Sequence, residues 1–127
     1  SIHEKLSNHK KSFEYYEKAK KFAIEEKNIN IKSYVMLEMV IIQINSSINI
    51  NSDIEKTLID IRISLDNINS PKEEAYYNYA LSLKYRAQFN YKMAIESAKK
   101  ALNICKNNEI NGEGRLKWIT KKNIIFG

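Results

Sequence analysis

Three glycines and one proline in 127 residues leave few of the residues that make tight turns. An architecture of many short strands joined by hairpins is therefore not expected. The single cysteine, Cys105, has no partner for a disulfide within the chain. It falls on an apolar helical stripe, so a buried structural thiol in a reduced, cytoplasmic setting is expected. No apolar run reaches the roughly 18 residues that a membrane span needs, and no stretch pairs a basic start with the apolar core of a secretory leader. Glycine-rich phosphate loops, nucleophile elbows and zinc motifs are likewise missing. His3 and His9 have no cysteine or carboxylate at metal-ligand spacing. Glu25 and Glu26, like Glu73 and Glu74, are adjacent and so point to different sides of a helix. These absences lead to the expectation of no enzymatic activity, no catalytic residue, no metal and no cofactor.

What is present begins with charge. A formal net charge of +6 raises nucleic acid as a partner. The lysines, however, are scattered at 10, 11, 18, 20 and 21, at 99, 100 and 106, and at 121 and 122, on helices that do not share a stripe. Solvated faces are their expected role, and direct nucleic-acid binding is not expected. The abundance of Ile, Asn, Lys and Tyr carries no functional weight. A chain of this length buries one core, so one domain is expected. It starts at Ser1, inside a helix-like pattern, and is read as a fragment of a larger protein.

Helical periodicity runs through most of the chain. Within residues 1–28, Phe13, Tyr16, Ala19 or Lys20, and Ala23 fall along one face, with Asn8 as a cap and Asn28 as a stop. Between residues 30 and 68 two helices are expected. The first is apolar from Tyr34 to Ile44 except at Glu38, the pattern of a central helix covered on more than one side. The second is capped by Ser52 or Asp53 and carries a stripe of Ile54, Leu58, Ile61 and Leu65. Residues 71–108 hold a further pair, introduced by Pro71, which suits a helix's first turn. In its second helix Tyr91, Ala94, Ile95, Ala98, Ala101, Leu102 and Cys105 recur every three or four residues, and the preceding helix offers Leu81, Ser82 and Tyr85. Gly112 and Gly114 mark a break before a short helix within residues 112–127.

The segment 76–108 resembles a tetratricopeptide repeat. Asn78, Leu81, Ser82, Tyr85, Ala94, Ala98, Ala101 and Lys106 stand at the pattern's places with no insertion. Leu81, Tyr85, Ala94 and Ala101 agree, Ser82 is suitably small, and Asn78, Ala98 and Lys106 depart. Small residues seven apart recur at Ser12 and Ala19, Thr57 and Ser64, and Ala94 and Ala101. The steps between these pairs exceed the roughly 34 residues of the standard repeat, which longer loops near residues 28–30 and 69–71 would supply. The resemblance implies an all-α, right-handed stack of antiparallel helix pairs, five helices plus a short C-terminal one.

It also implies a concave groove for an extended peptide or protein segment. The face holding Tyr76, Tyr79, Leu83 and Arg86 would line it, with Gln43, Ser46 and Asn49 on the matching face of the first helix of the 30–68 pair. Amides to bond a peptide backbone, aromatic walls and one cation would meet there. The same Tyr79 and Leu83, with Met39 and Ile42, are also what a plain helix-on-helix contact would use. An alternative is an assembly scaffold, such as a homodimer, formed through the apolar C-terminal segment with Trp118, Ile124, Ile125 and Phe126. The loops, the composition and phrases such as FEYYEKAKKFAIEEKN are similar to the repeat domains of peptide-responsive Gram-positive regulators of the Rap, PlcR and Rgg kind. That likeness implies a cytoplasmic bacterial regulator, in which Asn78 would be a further, weaker groove position.

Overall fold

The computed structural model describes residues 29–46 and 50–108, together with Lys10, Lys11, Glu14, Glu17, Lys18, Lys21, Ile24 and Glu25, which are helical. Among the described residues there are four bounded helices and no strand: α1 (Ile29–Ser46), α2 (Ser52–Asp66), α3 (Pro71–Ala87) and α4 (Tyr91–Asn107). The sequence led to five helices plus a short one. The two extra elements were placed on residues 8–28 and 112–127, of which only the eight positions named above are described. The chain divides into two compact units, Ser1–Ile68 and Asn69–Gly127. The first holds α1 packed on α2, and the second holds α3 packed on α4.

In the first unit, burial follows the apolar pattern. At roughly 100° per residue, the buried positions of α1 from Ser33 through Val35, Met36, Leu37, Met39, Val40, Ile41 and Ile44 sweep about two thirds of its circumference. Tyr34 and Glu38 occupy the remaining arc, exposed and half-buried respectively. The expectation of a helix covered on more than one side is met. Helix α2 buries a narrower stripe, Ile54, Leu58, Ile61 and Leu65, as its periodicity predicts. Thr57 and Ser64 flank that stripe and are half-buried.

Asparagine supplies the punctuation that glycine and proline do not. The cap of α2 is Asn51, not Ser52 or Asp53: its Oδ1 accepts the Ile54 amide at 2.9 Å, so Ser52 already has helical geometry. An amide oxygen one position earlier reaches the free N–H of the first turn, which the sequence-based placement overlooked. Asn90 caps α4 in the same way, accepting from the Met93 amide at 3.3 Å. At the C-terminal ends, the side-chain amides of Asn67 and Asn108 donate to the carbonyls of Ile63 and Ile104. Pro71 stands at the first position of α3, as expected.

The second unit is a hairpin whose turn departs from the usual chemistry. The Asn90 amide donates to Tyr85 O at 2.9 Å and the Phe89 amide to Arg86 O at 3.0 Å, the pair of bonds that defines a Schellman stop. Its left-handed residue is Phe89, at φ 60°, where glycine is the ordinary occupant. The ring is 78% exposed and makes a T-shaped contact with Tyr91, centroid to centroid 6.5 Å. A bulky side chain at positive φ costs about 1–2 kcal/mol, and an edge contact in water returns only part of it. Phe89→Gly is therefore expected to stabilise the chain by about 0.5–1 kcal/mol, net of the backbone entropy that glycine adds to the unfolded state. Urea denaturation of the variant measures this, and a loss of stability would show that the Phe89–Tyr91 contact outweighs the backbone strain.

In α4 the buried residues are Ala94, Ser97, Ala98, Ala101 and Cys105, while Ile95 and Leu102 are half-buried and Tyr91 is exposed. The small-residue stripe and the buried thiol are where the spacing put them. In α3 burial is not confined to one face. Ala75, Asn78 and Ser82 lie along one line and Tyr77, Ala80 and Lys84 along the opposite one, and Leu81 and Tyr85 lie half-buried between them. Asn78 Nδ2 donates to Glu74 O at 2.8 Å and Ser82 Oγ to Tyr79 O at 2.6 Å, so both polar groups are satisfied by their own helix and tolerate burial.

Candidate functional site

The residues assigned to a peptide groove fall in both compact units, and each group is described within its own unit. In the second, the first turn of α3 begins at Pro71 with Glu73 and Glu74, acidic residues that favour the positive end of the helix dipole. Helical spacing then places Tyr76, Tyr79, Leu83 and Arg86 on one longitudinal face. The structure brings the first two together: the rings of Tyr76 and Tyr79 stack with centroids 6.1 Å apart and planes 15° from parallel. Tyr79 is only 7% exposed and Tyr76 is half-buried, so Tyr76 presents the more accessible ring of the pair. Leu83 is half-buried one turn further on, and Arg86 is exposed at the C-terminal end of the face. No acidic side chain lies on this face of α3, because Glu73 and Glu74 project to other sides.

In the first unit, Gln43 is half-buried near the end of α1 and Ser46 is exposed. The Ser46 hydroxyl donates to its own helix, to Ile42 O at 2.8 Å and, more distantly, to Gln43 O at 3.4 Å. Its proton is thus already used, and what remains for a ligand is acceptor capacity. Asn49 lies outside the described residues. Of the residues that a plain helix-on-helix contact would use in this helix, Met39 is buried and Ile42 half-buried. The residues of the alternative assembly surface, Trp118, Ile124, Ile125 and Phe126, also lie outside the described residues.

Two features escaped the periodicity. Lys84 is buried to 8% exposure, and its Nζ sits 4.2 Å from the centre of the Tyr85 ring, a cation–π contact that makes burial of a charge tolerable. Read as sequence, Lys84 is simply one more solvated lysine. Asn78 was assigned a weak groove role, but it is buried with its amide bonded to Glu74 O, and so belongs to the core.

Chemically, the α3 face offers an aromatic wall, an aliphatic step and a guanidinium in line over nearly three turns. Such a face suits an extended segment with apolar side chains and a carboxylate or carbonyl at one end. No group of three or more His, Cys, Asp or Glu placed to hold a metal occurs among the described residues. Among the described residues no helix is long and apolar enough to cross a membrane. No family model, curated protein or solved structure matches this chain.

Proposed function

We propose that this chain is a tetratricopeptide-like helical-repeat module that binds an extended peptide or protein segment, and that its parent is a cytoplasmic bacterial regulator. The stacked Tyr76–Tyr79 pair carries the reading. A parallel aromatic pair in which one ring is anchored and the other accessible is a pre-organised wall, and a ligand that meets it pays little ordering entropy. Arg86, exposed on the same face, supplies a planar fork for a carboxylate or a peptide carbonyl. The two helix pairs at 29–66 and 71–107 are the units that a repeat stack is built from, and they support the same reading.

Selection from a random peptide display library on the intact chain, followed by titration of the enriched peptide, tests the proposal. Tyr76→Ala and Arg86→Ala are each expected to weaken that peptide by about 1–3 kcal/mol with unchanged helicity. Tyr79→Ala is the poorer probe, because removing a 7% exposed ring also perturbs folding. Absence of any enriched peptide, or equal affinity in both the Tyr76 and Arg86 variants, would exclude this face.

A further inference from the structure

A cleft of about 410 Å³ opens in the first compact unit, lined by Ile24, Lys32, Met36, Asp60, Ile63 and Ser64. It is distinct from the Tyr76 face, which belongs to the second unit. Its volume is within the ordinary range for small-molecule sites. Lys32 and Met36 come from one turn of α1, while Asp60, Ile63 and Ser64 come from α2.

The charges decide what fits. Lys32 and Asp60 face the same cleft from different helices, yet they form no ion pair with each other, and neither bonds to any other described group. Asp66, two turns' reach along the same helix, shows the contrast, because it is held by Arg62 at 2.9 Å. The lining is thus an uncommitted ammonium on one wall and an uncommitted carboxylate on the other. Three aliphatic side chains accompany them. Met36 is nearly buried, whereas Ile63 is 58% and Ile24 48% exposed, so apolar surface faces the opening.

We propose that this cleft binds a short aliphatic zwitterion. The ligand's carboxylate meets Lys32, its ammonium meets Asp60, and its aliphatic portion covers Ile24, Met36 and Ile63. Charge complementarity at both ends, rather than apolar area alone, selects this class. A neutral hydrophobe would leave both charges without counterparts, and a purely anionic or cationic ligand would satisfy one and approach the other with like charge. Because Lys32 and Asp60 form no ion pair with each other, a zwitterion can lie between them, and a dipeptide with free ends and aliphatic side chains is the ligand on which the test turns.

Isothermal titration of the whole chain with leucine and with leucyl-leucine, each in free, N-acetylated and C-amidated form, is the test. Saturable binding of free leucyl-leucine is expected, weakened about tenfold or more by either cap, since each cap removes one charge-assisted contact. Asp60→Asn is expected to weaken the free dipeptide comparably while leaving the N-acetylated form unchanged, and Lys32→Gln to do the same for the C-amidated form. Asp60 is exposed and Lys32 half-buried, so both variants are expected to keep their helicity, which circular dichroism checks. The capped ligands keep the test decisive even for a variant that fails to fold. No saturation at millimolar ligand, or equal binding of free and capped dipeptide, overturns the proposal.

Discussion

Ala98→Glu is expected to abolish the folded state of the α3–α4 hairpin. Ala98 is 0% exposed, and Ala94 and Ala101, at 0% and 1%, lie on the same stripe of α4, one turn to either side. Such a stripe lets the backbone of a partner helix come close, and the partner here is α3. A glutamate at its centre must either force the helices apart or leave a carboxylate in the interface. The described lysines of α4, Lys92, Lys99, Lys100 and Lys106, are all exposed and cannot accompany it inward. Burying an uncompensated charge costs about 3–5 kcal/mol, and overpacking adds about 1–3 kcal/mol. Together these approach the whole stability of a small domain, typically about 5–15 kcal/mol. The neighbouring substitution Lys99→Glu introduces the same side chain at an exposed position and is expected to shift stability by about 0.5 kcal/mol or less. Thermal melts followed by circular dichroism separate the two. If Ala98→Glu melts cooperatively near the parent temperature, the stripe does not face α3.

That contrast rests on a stripe visible in the sequence, and it shows which features were legible there. Positions spaced three and four apart located the buried residues of α2 and α4, because a helix with one partner buries one stripe and polar residues mark the rest. The two helix pairs, read as 30–68 and 71–108, emerge within a residue or two of their bounds. Helix α3 was harder. It buries Ala75, Asn78 and Ser82 along one line, and Tyr77, Ala80 and Lys84 along the opposite one. Asn78 and Ser82 enter the core by bonding to carbonyls of their own helix, and Lys84 by lying over Tyr85. Ser82 is expected at the helix contact as a small residue, but hydropathy assigns Asn78 and Lys84 to the surface, since nothing in a residue's identity announces that a local partner exists.

The turns were misjudged for a related reason. Counting glycine and proline gives too few stops, whereas Asn51, Asn67, Asn90 and Asn108 close helix ends through side-chain amides. Part of the asparagine content that looked like background is therefore structural. Of the candidate site, the shared face of Tyr76, Tyr79, Leu83 and Arg86 was legible from spacing. The stacking of the two rings and the unequal exposure that divides their roles were not, because rotamers and neighbouring elements set them. The opposed Lys32 and Asp60 were not legible either: they are 28 positions apart and come to one cleft only through the packing of α1 on α2.

Leu37→Ala tests that packing directly. Leu37 is 0% exposed, and it sits mid-helix in the wide buried arc of α1, with Ser33, Val40, Ile41 and Ile44 one to two turns away on the same side of the helix. Removing its branched end deletes buried methyl groups and leaves a cavity that an arc of large aliphatic neighbours refills only in part. The expected loss is about 2–5 kcal/mol. Ile42→Ala removes a comparable volume from the same helix at a half-buried position, so its expected cost is lower, about 1 kcal/mol. Urea denaturation measures the difference between them. Hydrogen exchange locates it: α1 and the Ile54, Leu58, Ile61 and Leu65 stripe of α2 cover each other, so Leu37→Ala is expected to lower amide protection in both helices. Equal costs for the two substitutions, or loss of protection confined to α1, would mean that α1 is not the helix on which this unit's core is built.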